Sequence, residues 1–287
     1  MIFRLLQAAA FTVFLGRGLQ HLLYGAPYRT LLWDEAWMSW LVEGIFQTPW
    51  SDYVTNAAVD ENITIATKII GVFYLLCALI SLFLKKLPRF FGHFLPIGAV
   101  GLIFLAFLYY KERFFQLAQF LEYSLQFGAP IFLYWYNKSS NNQTIEQLNL
   151  LFFLKIAIAT TFICHGLYAV GYYPRPGGFM EMVLNILSLP EAQVNQFLLF
   201  VGIMDFIVAV AIFLPRKIAI PAMMYIVFWG FMTTIARVWA YFQSDFWQET
   251  LLRWLPESIM RFPHFLIPLV ALLWMMRKYQ IGNKVSS

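Results

Sequence analysis

Polar side chains interrupt several long apolar segments of this sequence at helical spacing. In the first segment, Arg17, Gln20, His21 and Tyr24 follow the spacing i, i+3, i+4, i+7, so one helix face carries them all. A charge at the centre of a bilayer costs at least about 2.5–3.5 kcal/mol on insertion scales, so such residues usually face the protein interior. Arginine and histidine there can bind carbonyl or anionic oxygens, and a histidine near a carboxylate can relay protons.

Later apolar segments carry comparable groups, and we expect nearly all of them at one depth, in the outer half of the membrane. The residues predicted to bind a ligand there are Arg17, His21, His165, Asp205, Arg237, Arg261 and His264. We expect His165, Asp205, Arg237 and His264 to converge on one outward cavity, and Arg17 and His21 to line its counterpart in the first half. Each has a structural alternative: a histidine can bond a helix carbonyl in the core, and Arg261 can reach the headgroups. Asp205 and Arg237 can form a purely structural ion pair. No residue is assigned a catalytic role, and enzymatic activity is left open.

The composition sets the protein class. Of 287 residues, 61% are apolar and 12% are charged, against about 25% charged in ordinary soluble domains. We therefore expect a chain solvated by lipid, with no nucleic acid as partner despite the net charge of +5. The two cysteines, Cys77 and Cys164, exclude a four-cysteine metal site, and we expect no metal. The sequence contains no dinucleotide-binding, P-loop or zinc-protease motif.

Eight apolar segments have about the length needed to cross a bilayer, which predicts an all-α polytopic helical bundle. They are Phe3–Tyr24, Thr67–Leu84, Phe91–Tyr110, Gln116–Tyr136, Leu150–Tyr173, Gln196–Leu214, Ile218–Tyr241 and Pro256–Met276. Basic residues concentrate in alternate loops, as in Lys85-Lys86 and Arg216-Lys217, whereas most carboxylates lie in the other loops or in the spans. Because basic loops stay on the cytoplasmic side, both termini are predicted to lie in the cytoplasm. The membrane is predicted to be a bacterial cytoplasmic (inner) membrane.

Three of the predicted outer loops have amphipathic patterns. Residues 32–45 carry indoles at i, i+4, i+7; Phe179, Met182, Val183 and Ile186 form a second apolar stripe; and residues 247–254 form a weaker third. Such segments are typical of helices that lie in the membrane interface. They either form an ordinary aromatic belt or cover an outward-facing pocket.

The sequence also indicates an internal duplication. A shift of 148 residues aligns Arg17-Gly18-Leu19 with His165-Gly166-Leu167, a shift of 131 aligns Gly71 with Gly202, and a shift of 138 aligns Gln126 with His264. We expect a four-helix repeat in residues 1–137, a cytoplasmic linker in 138–148 and a second repeat in 149–287. Since each repeat has an even number of spans, the repeats are predicted to be parallel, related by an axis along the membrane normal.

One repeat has a recognisable order. A helix ends in Ile163-Cys164-His165-Gly166-Leu167, an amphipathic segment follows, and a second helix begins near Gln196 and is stopped by Pro215-Arg216. This order resembles DoxX-like membrane proteins, four-helix units of which some are related to the small membrane subunit of thiosulfate:quinone oxidoreductase. The resemblance implies two such units in tandem. The chain departs from the family in having Gln196 where an acid is often found, and Arg17-Gly18 in place of His-Gly. A weaker resemblance is to the four-helix module of vitamin K-dependent carboxylase-like proteins.

Three functions remain open at this point. The first is an accessory or binding component that holds a membrane or extracytoplasmic protein partner, a lipid or a small ligand in an outward-facing polar pocket. The second is a quinone-linked membrane oxidoreductase subunit, with quinone as the cofactor. The third is a small-solute transporter, which duplicated halves would suit.

The predicted orientation can be tested by cysteine labelling. A cysteine introduced at Ser51 or Asp245 is expected to react with an impermeant maleimide added outside intact cells, whereas one at Ser139 is not, because the basic loops retain that side in the cytoplasm. Labelling at Ser139 in intact cells would reverse the orientation and place the polar layer on the cytoplasmic side.

Overall fold

The structure, a computed structural model, describes residues 1–139 and 145–285, and the regular structure in this part is helical throughout. Residues 140–144 of the predicted linker lie outside the described residues. The helices are α1 (Ile2–Leu23), α2 (Arg29–Leu32), α3 (Glu35–Ser39), α4 (Trp50–Thr55), α5 (Ala57–Phe83), α6 (Phe94–Glu112), α7 (Leu117–Leu121), α8 (Ser124–Lys138), α9 (Ile145–Ala169), α10 (Gly177–Leu187), α11 (Glu191–Ala211), α12 (Arg216–Tyr241), α13 (Trp247–Ile259) and α14 (Pro263–Val285).

Seven helical segments of the described chain are long and apolar enough to cross a membrane. They are Ile2–Leu23, Ala57–Phe83, Arg89–Glu112, Asn149–Ala169, Glu191–Ala211, Arg216–Tyr241 and Ser244–Arg277. The chain is therefore an all-α polytopic membrane bundle, as the composition predicts. The boundaries move where local signals extend a helix: α5 begins ten residues before the predicted span because the Asn56 side chain caps it, accepting the Ala58 N–H at 2.9 Å.

The fourth predicted span, 116–136, is divided. Its first part forms the short α7, and α8 begins only at Ser124 and has 15 residues, fewer than the roughly 17–25 that a span needs. Helix α8 instead packs against α1, α6, α9 and α14, and its residues Leu125, Ala129 and Leu133 are fully buried. It is thus a core helix that still carries the chain along the bundle, from the end of α1 where Gln126 bonds Arg17 to the end where the Tyr136 ring lies 6.2 Å from that of Phe3. The chain therefore returns to the side of its N-terminus before α9 begins. Burial explains why the α8 sequence tolerates Gln126 and an internal Pro130.

The last predicted span is also broken, between α13 and α14. The carbonyl oxygen of Arg261 accepts hydrogen bonds at this break from the His264 backbone N–H (2.8 Å), the His264 ring Nδ1 (2.9 Å) and the Thr234 hydroxyl (3.3 Å). Helix α14 then starts at Pro263, a residue suited to a first helical position because it lacks an N–H. The break turns the chain at the end of the bundle and holds Arg261 and His264 next to α12.

The amphipathic segments form helices with one exception. The second pattern forms α10 and the third forms α13. Residues 32–45 do not form one helix: Asp34 caps α3 by accepting the Trp37 N–H at 3.3 Å, and Trp40–Ile45 is π-helical. Asp34 also pairs with Lys111 of α6, and this hydrogen-bonded cation lowers the pKa of the Asp34 carboxyl. The pair attaches the loop to the bundle.

Two close helix contacts have the same geometry in the two halves of the chain. A Cβ at Gly18 would lie 3.0 Å from the Gly71 carbonyl oxygen, and a Cβ at Gly166 would lie 3.0 Å from that of Gly202. Small residues let membrane helices approach in this way, here α1 on α5 and α9 on α11. These are positions that the sequence comparison aligns. The tandem organisation as a whole stays a prediction, which superposition of the halves about the membrane normal would test.

A third close contact positions the last helix. A methyl group on Gly230 of α12 would overlap the His264 carbonyl oxygen and lie 2.9 Å from its carbonyl carbon. We expect Gly230→Ala to lower the unfolding free energy, because overpacking costs about 1–3 kcal/mol and the gain in helix propensity is at most about 1 kcal/mol. Thermal unfolding of the purified protein measures this. Gly44→Ala is the control, since no neighbouring atom lies within 4 Å of a Cβ there; equal melting temperatures would contradict the contact.

Candidate functional site

A cavity of about 480 Å³ opens at the end of the bundle that carries α10 and α13. We call this end the cavity end. The wall of the cavity combines polar side chains from α1, α8, α9, α12 and the α13–α14 break with an apolar face from α10. Six of the predicted ligand-binding residues line it: Arg17, His165, Asp205, Arg237, Arg261 and His264.

The first half was expected to keep a separate pocket around Arg17 and His21, and the structure differs. Arg17 lines the same cavity as the second-half residues, because α1 and α8 both pack against α14 and α8 also packs against α9. His21 does not line the cavity. Its ring is buried, with Nδ1 2.7 Å from the Arg17 carbonyl oxygen and Nε2 3.1 Å from the Tyr28 hydroxyl. Both ring nitrogens thus have partners within the protein. His21 is therefore a core histidine bonded to a helix carbonyl, the alternative to a ligand-binding role.

Arg17 is a fully buried cation whose hydrogen-bond partners are neutral. It is 1% exposed and donates from Nε and Nη2 to Gln126 Oε1 at 3.2 and 2.7 Å, and from Nη1 to Gln20 Oε1 at 2.7 Å. Its guanidinium also lies over the rings of Tyr109 and Tyr123, 5.4 and 5.0 Å from their centroids. Cation–π contacts and amide oxygens can hold a guanidinium without neutralising it. Arg17 therefore brings a net positive charge to the cavity wall.

Two histidines of the cavity wall stack on each other. The rings of His165 and His264 are nearly parallel, 5.5 Å apart with 6° between their planes. The Nδ1 atom of His264 bonds the Arg261 carbonyl, and Nε2 of His165 lies 3.8 Å from Glu122 Oε2. This pair offers ring nitrogens to a ligand and has a carboxylate beside it. The aligned residues of the first half, Arg17 and Gln126, are in contact as well.

The other two cavity arginines differ in their partners. Arg261 forms an ion pair with Glu257 at 3.0 Å. Arg237 has electrostatic interactions with Arg261, Glu257 and Glu122, but no ion pair or hydrogen bond joins it to any described side chain, and its Nε is buried without a partner. Arg237 is therefore the cavity arginine with the most unused hydrogen-bonding capacity.

Asp205 and Arg237 do not form the ion pair considered as a structural alternative. Asp205 is 2% exposed, and its Oδ1 has no partner among the described residues. It lies near Tyr225, whose position on α12 is twelve residues before Arg237, about 18 Å along the helix. Asp205 and Arg237 therefore line different levels of the same cavity. Arg237 belongs to a polar layer near the cavity end, and Asp205 is a single carboxyl deeper in the bundle.

Helix α10 covers the cavity with the apolar stripe that the sequence predicts. Phe179, Met182, Val183 and Ile186 line the wall. Two residues, one before the helix and one within it, hold it in place. Before it, Arg175 donates to the Ala169 carbonyl at 2.8 Å and to the side chain of Asn195; on its outer side, Glu181 accepts the Tyr241 hydroxyl at 2.9 Å.

Two half-buried carboxylates belong to the site although they are not among the predicted ligand-binding residues. Glu122 and Glu257 both line the cavity. Glu122 accepts a hydrogen bond from Gln119 at 2.6 Å, beside His165. The signal was present, since a carboxylate inside an apolar segment was the reason for selecting Asp205. Glu257 escaped selection because it lies close to the end of the predicted last span.

Comparisons with known proteins found no match. No protein-family model, curated protein or solved structure matches the chain at a significant level. The DoxX-like resemblance therefore stays a prediction.

The environments of Arg17 and Arg237 predict opposite effects of the same substitution. Arg17→Met removes the donor from Gln126 and Gln20, and an unsatisfied buried group costs about 1–3 kcal/mol, so the melting temperature is expected to fall. Arg237→Met removes a cation with no ion-pair partner in the described chain, so the melting temperature is expected to stay equal or rise. Thermal unfolding in detergent compares the two. Equal losses in both variants would make Arg237 a structural residue.

Proposed function

We propose that this chain is an integral membrane binding protein, an accessory component that holds an amphiphilic ligand in the cavity. One observation carries the proposal. The cavity joins a layer of buried polar and charged side chains to the apolar face of α10, in a bundle that lipid surrounds. A ligand with a polar head and an apolar body matches both surfaces at once, since pockets of this kind orient a ligand with a few polar groups and bind it through apolar area.

The unused hydrogen-bonding capacity of the cavity supports a ligand over a purely structural role. A structural polar cluster satisfies its own members, because each buried unsatisfied group costs free energy. In the cavity, Arg237 Nε and Asp205 Oδ1 are buried without partners in the described chain. These are the groups that a bound molecule would satisfy.

The proposal includes an orientation and an organisation. The basic residues of alternate loops favour an orientation in a bacterial inner membrane with both termini on the cytoplasmic side. In this orientation the cavity end faces outward. The matched glycine contacts of α1–α5 and α9–α11 support two DoxX-like four-helix units in tandem. In that arrangement one cavity serves both units, with Arg17 from the first and His165 and His264 from the second.

A quinone-linked oxidoreductase subunit is the second candidate function, favoured by the stacked His165 and His264. An imidazole beside a carboxylate can donate a hydrogen bond to a quinone carbonyl oxygen and deliver the proton that this oxygen takes up on reduction. In this case the quinone is the ligand itself, and electrons would come from a partner protein.

The proposal can be tested by filling the cavity from α10. Val183 lines the cavity, and Val183→Trp is expected to abolish retention of a co-purifying amphiphile because the larger side chain occupies the space of its apolar part. Mass spectrometry of the purified protein identifies and quantifies what is retained, and a quinone would select the second candidate. Asn185→Trp, at an exposed position of the same helix, is the matched control. Equal ligand content in the wild type and Val183→Trp would contradict the proposal.

A further inference from the structure

The charges of the cavity indicate what kind of head the ligand has. Resting on the proposed function, we infer that the ligand is a monoanionic amphiphile, whose carboxylate or phosphodiester oxygens are bound by Arg237, with the buried positive charge of Arg17 in the same layer. The inference depends on which charges of the polar layer are already neutralised and on which donors are still free.

The polar layer carries one more formal positive charge than negative charges. Its arginines are Arg17, Arg237 and Arg261, and its carboxylates are Glu122 and Glu257, with the imidazoles counted as neutral. Two other charged residues at the rim, Glu112 and Arg113, are consecutive and cancel. Asp205 does not belong to this layer, because it lies near Tyr225, twelve residues before Arg237 on α12, and forms no ion pair in the described chain. One negative charge on a bound group would balance the layer.

The excess charge belongs to the arginines without ion pairs. Arg261 is neutralised by Glu257 at 3.0 Å, whereas Arg17 donates only to amide and phenol oxygens. Arg237 keeps a buried Nε without a partner. An uncompensated charge is costly in a low-dielectric environment. Glu122 balances one of these two arginines in the formal count, and one anion bound at Arg237 would balance the other.

Guanidinium chemistry narrows the anion to an oxyanion. The planar fork of an arginine matches the two oxygens of a carboxylate or phosphate, and such charge-assisted bonds are among the strongest in proteins. Apolar residues of α12 line the cavity next to this layer. They are Met232, Ala236 and Trp239, which precede and follow Arg237 on the same helix. An oxyanion on Arg237 would thus extend its apolar chain between α12 and α10.

Paired amphiphiles that differ only in head charge can test this. Native mass spectrometry of the full chain in a neutral detergent measures binding of oleate against oleyl alcohol, and of dioleoylphosphatidylglycerol against dioleoylglycerol. Inorganic phosphate is added as the free anion. In the wild type, at least one anionic member is expected to bind roughly tenfold or more tightly than its neutral partner, the difference expected from a charge-assisted hydrogen bond. The member that binds distinguishes a carboxylate from a phosphodiester.

Variants of Arg237 test whether the preference for the anionic amphiphile arises at this cavity residue. Arg237→Met and Arg237→Gln are both expected to lose the preference for the anionic member, and the second keeps a polar side chain in case the first does not fold. Arg253→Met is the matched control, because Arg253 lies at the same end of the bundle but over the rings of Tyr24 and Trp254, outside the cavity lining. This control is expected to keep the preference.

The outcomes separate the headgroup from the proposed function. Equal binding of neutral and anionic partners, or an unchanged preference in both Arg237 variants, would overturn the anionic head while amphiphile binding stands. A lack of binding by any of the four amphiphiles would overturn both. Phosphate that binds as tightly as dioleoylphosphatidylglycerol would also overturn both, since the apolar chains would then contribute nothing.

Discussion

A guanidinium group inside a bundle that lipid surrounds must find its hydrogen-bond acceptors within the protein. Arg17 meets this constraint through Gln126, so α1 and α8 are held at one relative position and rotation. The rest of the site depends on that contact, because α8 is also the helix that packs on α9 and α14, which carry the two stacked histidines. A polar interaction that is unremarkable in water therefore fixes the architecture of a whole end of this membrane protein.

The same constraint explains why one cavity exists where two were expected. Had α8 faced lipid at the periphery of the first half, Arg17 and His21 could have lined a pocket of their own. Burial of α8 between the halves turns Arg17 toward the second half and leaves His21 in the core, bonded to the Arg17 carbonyl and Tyr28. The position of a single short helix thus decides which polar residues share a compartment.

Much of the architecture follows from hydropathy and spacing, because lipid demands apolar helices of a set length. Seven spans, the apolar stripe of α10 and the shared cavity of His165, Asp205, Arg237 and His264 were predictable for that reason. The division of residues 116–136 into two helices could not be predicted, because an apolar segment has the same hydropathy whether lipid or protein surrounds it. The partner of each charge was equally hidden: Asp205 and Arg237 suggested each other by type, yet lie on different levels of the cavity.

The break between α13 and α14 has a consequence for how the protein can vary. The bonds that stabilise the break end on the backbone carbonyl of residue 261, not on its side chain. The shape of the bundle at this point is therefore independent of the identity of that residue, whereas the electrostatics of the cavity depend on it directly. A substitution at residue 261 can therefore change the charge of the cavity wall while the backbone hydrogen bonds of the break are kept.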